Sequence, residues 1–267
     1  RYRRTAPPPP PSPPRRPDAG NVPRMSASQG RATTVGGLRP RQLDPRQLTG
    51  HLSHARDLQE LLSLQQRHGD DFNGFHIGAF WSKFKALARG RLGGLSDRLA
   101  PVCEQTARML PELDARAVAN VVHAFAKAEL VGAGPWESVW AALPEAVRRQ
   151  LDEFNPQNIS NTAWAFAKTG HASSELFKAI SAEVVRRRLG DFNPQDLSNT
   201  AWAFASAGHA SSELFKAISA EVVRRRLGDF NPQDLSNTAW AFASAGHASS
   251  ELFKAISAEV VRRRLGD

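Results

Sequence analysis

A single cysteine, Cys103, stands among 267 residues, which excludes an internal disulfide framework and a cysteine-based zinc site. No apolar run is long enough to span a bilayer. The chain has no glycine-rich phosphate loop, no GxSxG elbow and no HExxH pair. His51 and His54 have ligand-like spacing but no acidic or thiol company. Ser211 and Ser212 lie beside His209 at an expected helix start, where serine caps are usual. These absences argue against an enzyme, a metal site, a bound cofactor, a membrane segment and a small-molecule substrate.

Acidic residues are scarce in one region. Residues 1–42 contain nine Arg and one acid, Asp18, together with a proline run from Pro7 to Pro11. The remaining 225 residues carry 26 basic and 25 acidic groups, so the net charge of +9 sits almost wholly in this leading segment. A stretch with so few apolar residues cannot offset its ordering entropy, and disorder is expected over 1–42. Its Arg-rich, acid-poor composition suits either an organellar transit segment or a solvated linker.

What the sequence does have is repetition. The 38 residues of 192–229 return unchanged at 230–267, and 154–191 match them except at Asn158, Ile159, Lys168 and Thr169. Looser copies start at Leu113 and, more faintly, at Phe72. Before them, 56–71 reads as one amphipathic helix. We expect an all-α fold, an α-solenoid of two-helix repeats with a period of 38 residues. Its parts would be the tail at 1–42, a leading helix with degenerate repeats at 43–153, and three near-identical repeats at 154–267.

Each unit marks its own helix ends. Asn231 is placed as an N-cap, Pro232 at N1 and Asp234 at N3, with Phe230 and Leu235 at the positions of a hydrophobic staple. Gly246 should stop the first helix, called A, and Ser249 or Ser250 should cap the second, called B. His171, His209 and His247 recur in the turn between the two and read as packing residues. The triplet Arg224, Arg225 and Arg226 fans around the last turn of helix B. It cannot share one face, and it complements the helix dipole.

On helix A, Leu197, Ala201, Phe204 and Ala205 form one apolar face. Trp202, Gln195, Ser206 and Asn199 fall roughly 140° to 200° from Leu197 at about 100° per residue. This polar and aromatic stripe recurs as Gln233, Asn237, Trp240 and Ser244, and as Gln157, Asn161, Trp164 and Lys168. In the looser copy it is Arg116, Asn120, His123 and Lys127. Amides and hydroxyls that meet base edges, with flat rings that stack on bases, are the means by which helical repeats read single-stranded RNA. The competing account packs the Trp and Asn against the neighbouring repeat.

The motif FNPQ(D/N)(L/I)SNTAWAFA(S/K)(A/T)G, with a second helix ending RRRLGD, resembles the octotricopeptide repeats of organellar RNA-binding proteins. It is also similar to the leucine-rich region of FAST-kinase-like mitochondrial proteins and to the helical domain of the mitochondrial RNA-editing substrate-binding complex. The resemblance spans about 55–267. It implies binding to single-stranded RNA of chloroplast or mitochondrial transcripts, with effects on processing, stability or translation, and other RNA-processing proteins as companions. By that analogy Asn161, Asn199 and Asn237 with their stripe neighbours are the RNA-contact candidates. The alternative use of such an array is a protein-binding scaffold without direct RNA contact. Two identical repeats would either read the same base or reflect a duplication too recent for them to differ.

Overall fold

The computed structural model describes residues 43–88, 94–225 and 227–264. The expectations for 1–42, and Arg226 of the triplet, lie outside these residues. Twelve α-helices and no strand are found among the described residues. They alternate between two layers. The A layer holds α1 (Pro45–His54), α3 (Gly74–Leu87), α5 (Ala115–Lys127), α7 (Pro156–Thr169), α9 (Pro194–Ser206) and α11 (Pro232–Ser244). The B layer holds α2 (Leu58–His68), α4 (Ser96–Met109), α6 (Glu137–Arg149), α8 (Ser174–Arg186), α10 (Ser212–Arg224) and α12 (Ser250–Arg264). Each A helix packs on the next A helix, and each B helix on the next B helix, which is the neighbour-only order of an α-solenoid. None of these helices is long and apolar enough to cross a membrane.

The caps act as the sequence suggests. The side chains of Asn155, Asn193 and Asn231 each accept the backbone N–H three residues on, and Pro156, Pro194 and Pro232 open the helices. Gly170, Gly208 and Gly246 take φ of 73°, 71° and 70°, the left-handed conformation that closes the A helices. In α5 the corresponding stop is Glu129, a non-glycine residue at φ 55°. Of the two serines offered as caps for helix B, the first acts: Ser211 Oγ accepts the Leu214 N–H and Ser249 Oγ that of Leu252.

One expectation is extended and one is corrected. The one helix expected over 56–71 is present as α2, and a further helix that was not expected, α1, precedes it and makes the segment before Phe72 a helix pair. The chain bends at Ala55 and Arg56 between them, and α2 runs out into a 3₁₀ turn at Gly69–Asp71. In addition, helix A does not keep a single apolar face. An internal A helix is flanked by an A neighbour on either side and backed by its own B helix, so α9 is buried from Asp196 through Phe204. Small residues permit this closeness. A Cβ added at Gly78 of α3 would stand 3.2 Å from the Ala117 Cβ of α5.

Polar contacts fasten the layers. Ser160 of α7 donates to Asp196 Oδ1 of α9 at 2.8 Å, and Ser198 donates to Asp234 Oδ1 at 3.1 Å. Burial pushes both carboxyls above the ordinary value, with the serine hydroxyls opposing the shift. Asn158 takes this place in α7, and the residue that would face it from α5 is Ala119, which has no hydroxyl to offer. The acid appears where the donor does. At the end of each late B helix the middle arginine folds back. Arg225 bonds the carbonyls of Leu189 at 2.9 Å, Gly190 at 2.7 Å and Phe192, while Glu221 holds its Nε at 2.5 Å. Arg187 and Arg263 do the same one repeat before and one after. Among the described residues Arg224 bonds Glu221 alone, and it stays exposed. His171, His209 and His247 pack on the rings of Trp140, Phe177 and Phe215, with centroids 4.2, 5.0 and 4.7 Å apart.

Candidate nucleic-acid interface

The A layer presents its fourth side outward, and there the stripe is open in part. Arg116, Gln157, Ser206 and Ser244 are exposed, and Asn120, Lys127, Asn161, Lys168, Gln195, Gln233 and Trp240 are half-buried. The other four are covered. Trp164 and Trp202 are each 3% exposed, Asn199 is 5% and Asn237 is 0%. The expectation that Trp164 and Trp202 offer stacking faces is therefore corrected, because the next A helix closes over the middle of the stripe. The rings of Trp202 and Trp240 lie 6.3 Å apart. Asn237 accepts a bond from Gln233 Nε2 at 2.9 Å, an internal link on α11.

The stripe comes together most fully across α3, α5 and α7. Lys127 and Lys168 place their Nζ atoms 5.2 and 5.4 Å from the centre of the Trp164 ring, a pair of cation–π contacts. His123 meets the same ring edge-on at 5.9 Å. Lys85 of α3 donates to Asn120 Oδ1 at 3.4 Å. Burial, followed by Lys85, Lys127 and Lys168, holds the His123 pKa down at about 3, so the imidazole is neutral at physiological pH. Burial and Lys168 lower the Lys127 pKa as well. Three ammonium groups around a half-buried imidazole form a local positive potential. Glu129 pairs with Lys168 at 3.2 Å while 72% exposed, a weak and screened contact.

Charge divides between the layers. The six A helices carry Arg46, Lys83, Lys85, Arg116, Lys127 and Lys168, none of them buried, and only two acids, the covered Asp196 and Asp234. Every B helix carries both signs. A near-zero total for the repeats had hidden this. Lys85 and Phe75 are the functional candidates that the stripe omitted. Phe75 stands in the register of Arg116 and Gln157, three residues after Phe72, and is 73% exposed. That register was available in the faint first copy, where an aromatic in the polar row was the signal.

No group of three His, Cys, Asp or Glu side chains gathers among the described residues. Cys103 is buried, and burial pushes its thiol up to about 12.

Fold and surface together define the class: an all-helical solenoid with one layer of basic and amide side chains and one of mixed charge. Within that class, the chain belongs to the family of the RNA-editing substrate-binding complex 6 protein, which it matches over residues 95–264, more than half its length. The match starts ahead of α4 and runs to the end of α12.

Proposed function

We propose that this protein binds single-stranded RNA along the open side of its A layer. It would do so as a non-catalytic member of an RNA-editing substrate-binding complex acting on organellar transcripts. The observation that carries this reading is the separation of charge between layers. A helices whose uncovered charges are all basic attract a phosphate backbone, and the amides between them face unpaired bases. The family match supports an RNA setting. The octotricopeptide likeness of the repeats points the same way.

The RNA-contact set is Lys85 with the open part of the stripe: Arg116, Asn120, Lys127, Gln157, Asn161, Lys168, Gln195, Ser206, Gln233, Trp240 and Ser244. Trp164, Trp202, Asn199 and Asn237 act as its supports. Lys168 is held by Glu129 until a phosphate displaces that exposed carboxylate. A scaffold role belongs to the other layer, where grooves of about 980 and 490 Å³ recur beside Phe215 and His247 and beside Phe177 and His209. Both roles are compatible in one chain, because they use opposite layers.

The test is equilibrium binding of a labelled single-stranded RNA pool across a salt series, with the chain whole and with 1–42 removed. Replacing Lys85, Lys127 and Lys168 together with Ala should reduce the salt slope by about 2, at about 0.7 per phosphate contact. Unchanged affinity and slope in that triple variant would refute the A-layer surface.

A further inference from the structure

We infer that the groove bounded by α1, α3 and α5 is a subsite for one unpaired nucleobase, with Phe75 as its stacking surface and Arg116 and Lys83 flanking it for phosphate. The inference rests on the RNA reading of the A layer and adds to it a defined place and a defined contact. Phe75 is the anomaly that calls for it. Of the fourteen phenylalanines in the chain, it is the one that is exposed. The core has no claim on it, since α3 already buries Ile77, Phe80, Trp81 and Phe84.

The groove holds about 710 Å³ and is lined by Phe75, Lys83, Arg116, Asn120, Ser82 and Thr49. Its floor is shallow, because Gly78, Ala79, Ala86 and Ala117 project little or nothing. A flat ring can lie against such a floor with one face on Phe75. The Asn120 amide and Ser82 hydroxyl then supply donors and acceptors at the ring's edge. The lone acid on the lining, Asp114, is committed as the α5 N-cap, accepting the Ala117 N–H at 2.7 Å. Neither Arg116 nor Lys83 has an ion-pair partner among the described residues. An apolar peptide finds one large apolar side chain here and two uncompensated cations. A nucleotide has a complement for each.

The subsite also explains a departure in the repeats. Later A helices put Gln157, Gln195 and Gln233 in the register of Phe75, and their stripe tryptophans are covered or half-covered. The stacking element of the array sits at α3, at one end of the basic row. Base–aromatic stacking is tolerant of base identity, so this position anchors a strand without choosing its sequence.

The experiment uses the full chain and a fluorescein-labelled oligouridylate, titrated at two salt concentrations, with circular dichroism melts to verify folding. Phe75→Ala should weaken binding by roughly 5- to 150-fold, the range of one stacked base, and leave the salt slope unchanged. Phe75→Trp should keep or improve affinity. Arg116→Ala should lower the slope by about 0.7. Wild-type affinity in Phe75→Ala, with binding still weakened by Lys127→Ala and Lys168→Ala, overturns the subsite, returns the groove to a polypeptide partner and leaves the RNA reading intact. No binding by the wild-type chain at low salt overturns both.

Discussion

Replacing Arg225 with Met keeps most of the aliphatic stem and removes the guanidinium that joins α10 to the loop ahead of α9. In the structure this group donates to the carbonyls of Leu189, Gly190 and Phe192 and to Glu221, with its side chain 17% exposed. A charged donor on a neutral acceptor contributes about 1.5–3 kcal/mol, and contacts sharing one side chain do not add fully, so Arg225→Met should cost about 3–4.5 kcal/mol. Arg224→Met provides the control. Its side chain is 65% exposed and its bonds go to Glu221 alone, so the change should stay within about 0.5 kcal/mol. Arg225→Lys should fall between, since an ammonium carries the charge but not the fork. Urea unfolding followed by far-ultraviolet circular dichroism gives the three differences. Hydrogen exchange then locates the loss, which a neighbour-only solenoid should confine to 189–192 and the helices beside it. Equal effects of Arg224→Met and Arg225→Met, or a loss below about 1 kcal/mol for Arg225→Met, would refute the account of the middle arginine as the fastener.

Two further outcomes follow from the same physics. Ser160→Ala removes a donor from a buried carboxylate and should cost about 1–3 kcal/mol, most of it recovered in the double variant with Asp196→Asn. Because burial raises the folded-state pKa of Asp196, its contribution is full below the ordinary 3.8 and is lost as pH rises through the raised value, so the Ser160→Ala penalty should be larger at pH 7 than at pH 4. A pH-independent penalty, or no recovery in the double variant, would count against the pairing. For His123 the sign is opposite: its folded pKa is depressed to about 3, so stability is full above the ordinary 6.5 and falls as pH drops towards 3 while the unfolded chain takes up the proton. Imidazole NMR should show His123 neutral at pH 5, and a midpoint near 6 would contradict its burial among the three lysines.

The repeat architecture was legible because duplication wrote the period into the chain and each unit carries its own Asn-Pro cap and stop glycine. Helix α1 escaped because PRQLTGHLSH buries only Leu48 and Leu52, too few apolar positions to show a face. The wheel drawn from Leu197 placed the stripe correctly in angle but assumed a helix with one covered side. An A helix between two A neighbours has three, which is why Asn199 and Trp202 are buried while Gln195 and Ser206 at the stripe's ends are not. Lys127 and Lys168 were readable as binding candidates, and their approach to the Trp164 ring was not, since that requires two helices 41 residues apart in register to be set side by side. The charge separation was present in the letters. Summing over the whole array cancelled it, and only the assignment of each helix to a layer restores it. The middle arginine was hidden for a similar reason: three adjacent arginines look alike until the loop that one of them reaches is in place.

On the RNA reading proposed above, the two identical units, α9 with α10 and α11 with α12, would give a bound strand two like footings that differ at the tryptophan, covered at Trp202 and half-buried at Trp240. Gln195 and Ser206 offer what Gln233 and Ser244 offer, in the same order and on the same side. A strand gripped at these positions can shift by one repeat and find the same groups again. Such degeneracy adds about 0.4 kcal/mol of mixing entropy, RT ln 2, to the association. It would also leave Trp240 as the one feature to distinguish the two alignments. On that reading these repeats would hold a transcript with slack, and the choice of where it sits would fall to the earlier, unlike repeats.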